Sequence, residues 1–173
     1  MMVRKIFFDM DGVLADFDRG IRELCGIPSL KQEAEDKAAD ERMWAAVRDT
    51  DHFYDRLELM PGAEKMFRLL YKKYGACCEI LTAIPKAERG ITSAGEDKIR
   101  WVRRLLSENI PVHIVYKEEK KNYCTGKDCI LIDDYSTNIK DWEAFGETGI
   151  LFKNAAETLR ALRSLINSGK IPP

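Results

Sequence analysis

An apolar, aromatic-rich run over residues 3–8 ends in two carboxylates, Asp9 and Asp11, with Gly12 directly after them. A run of that kind, with no polar alternation, reads as a strand buried on both faces, and such strands belong to parallel sheets covered by helices. Open α/β sheets place their chemistry beyond the carboxyl ends of the strands, which is where both aspartates fall. Gly12 permits a tight backbone path there, so that chain and ligand can approach closely. Two carboxylates two residues apart repel unless a cation or a shared proton relieves them, so the pair suggests a divalent metal or a division of protonation states. A plain strand followed by an Asp-Gly turn would look the same over these few residues, and the rest of the chain has to decide between the two.

Residues 16–25 read as a helix leaving that loop, closed by Gly26-Ile27-Pro28. Residues 29–50 are highly charged but keep partial helical spacing through Met43, Trp44 and Val47, which favours a helical insertion over disorder. An aromatic cluster, His52-Phe53-Tyr54, precedes a return to the main body at residues 57–62. A helix is expected over 63–74, with Met66, Phe67, Leu69, Leu70 and Tyr71 on one face and Gly75 as its stop. A strand over 77–81 leads to Thr82, a charged loop spans 83–95, and a helix over 96–108 carries Ile99, Val102, Leu105 and Leu106. Strands follow at 111–116 and 129–132, the latter ending in Asp133-Asp134; a helix over 137–145, a strand over 149–152 and a helix over 155–166 complete the chain. Strands alternating with helices predict an α/β, Rossmann-like three-layer sandwich with a central parallel sheet. Residues 1–18 and 60–173 form its main domain in this reading, and residues 19–59 form a small helical cap inserted after the first strand.

With 173 residues, 45% of them hydrophobic, the chain can bury one good core and a small appendage. Its 28 basic and 29 acidic residues leave a net charge of −1, so no overall field draws it to a polynucleotide or an anionic membrane. Arg4 and Lys5 mimic a basic leader, but the apolar run after them is cut by Asp9 and Asp11, and no segment approaches membrane-spanning length. The five cysteines, Cys25, Cys77, Cys78, Cys124 and Cys129, are odd in number and lack C-x-x-C spacing. That argues against a disulfide framework and a zinc site, and a cytoplasmic location is expected. The oligomeric state is left open.

The stretch Asp9-Met10-Asp11-Gly12-Val13-Leu14-Ala15-Asp16-Phe17-Asp18 resembles the first motif, D-x-D-G, of the haloacid dehalogenase superfamily of phosphatases, and within it the opening of the 5'(3')-deoxyribonucleotidases, the cytosolic type C 5'-nucleotidase branch. The resemblance implies that Asp9 is a nucleophile and Asp11 an acid/base. Leu81-Thr82-Ala83 is similar to the second motif, in which a hydroxyl and a neighbouring backbone N–H bind phosphate. The branch often has T-S-P at this point, whereas this chain has Thr82-Ala83-Ile84-Pro85, one hydroxyl fewer.

The third motif is a lysine that neutralises nucleophile and phosphate together. Lys117, Lys120, Lys121 and Lys127 compete for it; Lys121 is preferred because Lys121-Asn122-Tyr123-Cys124 resembles the K-x-Y-A pattern, with Lys120 a close second. Asp133-Asp134 at the end of an apolar strand resembles the fourth motif, and desolvating both there calls for a counterion. Mg²⁺ is the implied cofactor, held by Asp9, the backbone carbonyl of Asp11 and the late pair, with Asp134 favoured as the direct ligand and Asp133 as a water-mediated or lysine-orienting residue. Two further matches, Lys98-Ile99-Arg100-Trp101-Val102 with a K-x-R-W-V helix and Asn138 with Trp142, are read as structural.

The resulting expectation is a Mg²⁺-dependent hydrolase, a phosphomonoesterase cleaving a small-molecule phosphomonoester through an aspartyl-phosphate, with a (deoxy)ribonucleoside monophosphate as substrate. Phe17, Phe53 and Tyr54 are the candidate substrate contacts, while Trp44 is read as core packing. A sugar phosphate or other small phosphometabolite is the alternative substrate, and a catalytically weak phosphate-binding protein the second alternative. A phosphorylated receiver domain is excluded by motif order, since its acidic pair comes early and its phosphorylated aspartate mid-chain. A P-loop is excluded because Asp128 follows Gly126-Lys127.

Overall fold

A computed structural model describes residues 5–28, 36–123 and 128–169. Val3 and Arg4 of the expected first strand, residues 29–35 of the insertion, Cys124 and Lys127 lie outside the described residues. Five strands, β1 (Lys5–Phe8), β2 (Cys78–Ala83), β3 (Val112–Val115), β4 (Cys129–Asp133) and β5 (Thr148–Leu151), form one sheet in the order β3-β2-β1-β4-β5, all parallel. β1 is central, flanked on one side by β2 and on the other by β4, with Phe8 opposite both Ile80 and Ile132. The chain goes from β1 to β2 and β3 and then crosses to β4, so the direction of winding reverses beside β1. A crevice opens at such a reversal outside the carboxyl ends of the strands.

Covering both faces of the sheet accounts for the unbroken apolar runs of β1 and β4. Ile6, Phe8, Ile80, Ile130 and Ile132 face the larger core, shared with α3 (Ala63–Tyr74), α4 (Ala94–Leu105) and α6 (Ala155–Asn167) through Met66, Phe67, Trp101, Val102 and Leu162. Phe7, Leu81 and Leu131 face the smaller one, closed by Ile139 and Trp142 of α5 (Ser136–Glu143). The expected three-layer α/β sandwich is therefore present. Helix boundaries follow local chemistry: α3 starts after Gly62 and stops at Gly75, both at positive φ, and the Asn154 side chain accepts from Glu157 N at the start of α6.

Two faces depart from the sequence expectation. Leu69, assigned to the buried stripe of α3, is 48% exposed, and Ile99 of α4 is 38% exposed while its neighbour Lys98 is fully buried. In α4 the inward stripe runs through Ala94, Asp97, Lys98, Trp101 and Val102, because the tip of the helix lies over the strand ends and meets polar groups there.

Between β1 and α3 lie α1 (Phe17–Leu24), α2 (Lys37–Arg48) and a 3₁₀ turn (Phe53–Arg56). Asp16 and Asp36 cap the two helices, accepting from Arg19 N at 3.0 Å and Ala38 N at 2.9 Å. Ile21, Val47, Phe53, Tyr54 and Leu57 of this insertion belong to the same buried cluster as the sheet. Polar ties reinforce the contact: Trp101 Nε1 donates to Leu57 O at 2.7 Å, and Arg89 pairs with Asp40 at 2.7 Å and Glu41 at 2.5 Å. Among the described residues no helix is long and apolar enough to cross a membrane.

Candidate active site

β1 releases the chain into a compact turn in which Val13, Leu14 and Ala15 all donate to Met10 O, and Gly12 N donates to Ala15 O at 2.9 Å. Gly12 sits at φ +76°, and a Cβ there would lie 2.2 Å from Asp134 Oδ2. Glycine is required twice over, for the backbone and for the close approach of β4's end. Gly12→Ala is accordingly expected to cost about 1–2 kcal/mol of stability and to lower kcat/KM at least about tenfold by displacing Asp134; thermal melting and steady-state kinetics check the two parts.

Asp9 is 7% exposed, with its N–H continuing the ladder to Ile132 O at 2.9 Å. Asp133, fully buried at the end of β4, and half-buried Asp134 present carboxylate oxygens that lie, with one from Asp9, within 4.8 Å of one another. Lys120 is 3% exposed and joins the two strands, with its Nζ 2.9 Å from Asp9 Oδ1 and 2.7 Å from Asp133 Oδ2. Asp133 is held further by Tyr135 N at 2.8 Å and by Asn138 Nδ2 at 3.1 and 2.9 Å.

The lysine expected beside the phosphate was Lys121, and the geometry corrects this: Lys121 is exposed and Lys120 points inward. Residues 117–123 form a 3₁₀ segment, in which side chains three apart share a face and adjacent ones do not, so only one of the two lysines can reach the sheet. A K-x-Y match in sequence carries no information about which residue of the turn faces in.

Thr82 is fully buried at the end of β2, and Ala83 closes that strand opposite Val115. Lys98, read from sequence as structural, reaches the same strand ends from α4. A lysine beside an isoleucine on a charged helix gives no sign of this placement, which follows only from where α4 docks. Phe53 and Tyr54 require the opposite correction. Each is 1% exposed, packed between the insertion and α4, and offers no open face to a base. Phe17 is half-buried, with its ring 5.4 Å from Phe53, 6.2 Å from Tyr54 and 6.3 Å from half-buried Trp44; Arg89 lies 5.7 Å over the Trp44 ring.

Among the described residues, carboxylates outnumber the cations that contact them at the strand ends. Burial pushes the Asp9 carboxyl up to about 7, and the charges of Asp133, Asp11 and Asp134 add to the shift while Lys120 opposes it. Against the pull of burial, Asp9 and Asp133 hold the Lys120 ammonium above the ordinary lysine range. Four carboxylates thus share this end of the sheet with two buried ammoniums, Lys98 and Lys120. An all-oxygen donor set with excess negative charge fits a hard divalent cation.

A family model described as "5' nucleotidase, deoxy (Pyrimidine), cytosolic type C protein" matches residues 1–161. No curated protein gave a significant match. Among solved structures, a hydrolase from Streptococcus pneumoniae TIGR4 aligns with a TM-score of 0.51 at 12% identity, covering 94% of this chain and 100% of that one. A phosphonoacetaldehyde hydrolase-like protein from Oleispira antarctica aligns with a TM-score of 0.49 at 12% identity, covering 98% and 86%. The first of these likenesses supports the fold alone. The family match spans nearly the whole chain and includes both acidic strand ends, so the chain belongs to the deoxy (pyrimidine), cytosolic type C 5' nucleotidase family and is a phosphoric monoester hydrolase of the haloacid dehalogenase type.

Proposed function

We propose that this protein is a Mg²⁺-dependent, cytoplasmic 5'-nucleotidase that removes phosphate from deoxyribonucleoside monophosphates through an aspartyl-phosphate. The observation that carries the reading is Asp9, buried at the end of the central strand, 2.9 Å from the Lys120 ammonium and grouped with Asp133 and Asp134. Asp9, Asp134 and the backbone carbonyl of Asp11 would hold the ion. Asp133, with four hydrogen bonds from Lys120, Tyr135 and Asn138, orients the lysine instead. When bound, Mg²⁺ supplies positive charge to phosphate oxygens that become more negative as the ester cleaves.

In this mechanism a carboxylate oxygen of Asp9 bonds to phosphorus and the phosphorus–ester oxygen bond breaks. Asp11 gives its proton to the departing alkoxide, which leaves as the nucleoside. Asp11, now a carboxylate, takes a proton from water as that water attacks the acyl phosphate, releasing inorganic phosphate and restoring both aspartates. Lys120 and the Thr82 hydroxyl stabilise the transferring phosphoryl oxygens. Residues 1–18 and 60–173 act as the catalytic core, and residues 19–59 act as the cap that selects the leaving group, with Phe17 facing the nucleoside.

The buried positions of Phe53 and Tyr54 favour one second reading, a phosphatase for a sugar phosphate or similar small metabolite, because fewer aromatic faces remain for a base. Phosphate release from a panel of nucleoside monophosphates, their deoxy forms and sugar phosphates separates the two. Deoxynucleotide preference with Mg²⁺, falling to background in EDTA, is the expected result; release that ignores the base would support the second reading, and release unchanged by EDTA would remove the metal from the mechanism.

A further inference from the structure

Lys98 is a fully buried ammonium that the chemistry above does not use. It projects from α4 and donates to Asp11 Oδ2 at 2.6 Å, Thr82 Oγ1 at 3.0 Å and the Ala83 carbonyl at 2.5 Å. An ammonium has three N–H donors, and all three are spent on protein. The Tyr54 ring lies 4.6 Å from the same nitrogen, closing it off from the side of the insertion. Lys98 is therefore unsuited to bind phosphate itself. Lys120 differs: among the described residues its Nζ meets two acceptors, Asp9 and Asp133.

The consequence for Asp11 is asymmetry. Its Oδ2 is locked by Lys98, whereas its Oδ1 is buried and has no hydrogen-bond partner among the described residues. A buried carboxylate oxygen without a partner is costly and calls for a reason. An oxygen kept for proton transfer supplies one, because a catalytic acid must be held in orientation without its transferring atom being occupied. The same lysine fixes Thr82: a hydroxyl that accepts from Lys98 has its own O–H left to donate.

We propose that Lys98 is a positioning residue, which anchors one oxygen of Asp11 so that the other faces the leaving group. This rests on the reading of Asp11 as the acid of ester cleavage. Lys98 acts through Asp11, so its removal weakens protonation of the leaving group more than any other part of the reaction.

Leaving-group dependence tests this. kcat/KM, which reports events through departure of the leaving group, is measured for a deoxynucleoside 5'-monophosphate and for p-nitrophenyl phosphate, whose phenolate leaves without a proton. Lys98→Met is expected to lower the first roughly 100-fold and the second less than about fivefold. In an Asp11→Asn background the same change should alter the nucleotide value less than about twofold. Equal losses on both esters, or a full additional loss on top of Asp11→Asn, would show a merely structural lysine and overturn the proposal. Should Asp11→Asn itself spare neither ester, the acid reading of Asp11 falls and the proposal with it. Retained leaving-group selectivity in Asp11→Asn without any in Lys98→Met overturns the role of Lys98 alone. Lys98→Gln keeps a donor in the slot and is measured beside the methionine variant; if the latter does not fold, a reduced rate with the wild-type ratio of the two esters in Lys98→Gln overturns the proposal.

Discussion

Asp9→Asn is expected to lower nucleoside monophosphate turnover by at least about 10⁴-fold, the scale seen when a covalent nucleophile is removed. Asparagine has nearly the same shape, so the backbone turn after β1 and the ladder bond to Ile132 O need not change. What disappears is the oxygen that would bond to phosphorus. The same substitution should stabilise the metal-free protein at neutral and higher pH. Asp9 has its folded carboxyl raised from 3.8 to about 7, mainly by burial, so the folded state binds a proton that the unfolded state has released. By linkage, stability falls as pH rises from about 4 to about 7, and above that window the ionised carboxylate is a net cost to the fold. Asp9→Asn removes this cost. Thermal melting in EDTA is expected to show a more stable variant at pH 8 and little difference near pH 4, and a less stable variant at pH 8 would contradict the raised Asp9 carboxyl.

Lys120→Met should carry the next largest effect, and Lys121→Met almost none. Lys120 is the ammonium between Asp9 and Asp133, and removing it leaves two buried carboxylates short of a partner at roughly 3–5 kcal/mol. Asn138 and Tyr135 N still hold Asp133, which places the cost toward the lower end. On activity, the loss of one preorganised cation beside the phosphoryl group is worth about 10²–10³-fold in kcat. Lys121 is exposed, so its replacement should stay within about 0.5 kcal/mol and leave kinetics unchanged. Urea unfolding and single-turnover phosphate release on both variants test the pair, and the reverse ranking would return the phosphate lysine to position 121.

The relation between these two lysines shows where local pattern stops being informative. Strand and helix order was legible because buried parallel strands need continuous apolar runs, as at Ile6-Phe7-Phe8 and Ile130-Leu131-Ile132, and their ends are marked by the first polar residues. Side-chain direction in a short irregular segment carries no such mark. Lys120 and Lys121 are chemically identical, and only docking of the 117–123 segment against β2 and α5 selects one of them. The aromatic pair Phe53-Tyr54 has the look of a binding feature in sequence, yet both rings are consumed in joining the insertion to α4, where burial of large apolar area outweighs keeping them open.

By itself the sequence determined the alternation of strands and helices along the chain and the acidic residues at the strand ends, since each is a local consequence of hydrophobic run length and of where it breaks. Only the tertiary structure decided which ammonium faces which carboxylate. Lys98 lies 87 residues from Asp11, and the 2.6 Å contact between them exists because α4 docks its tip over the ends of β1 and β2. Charge pairing inside a protein depends on distance and desolvation, and neither is defined until the chain has closed around the pair.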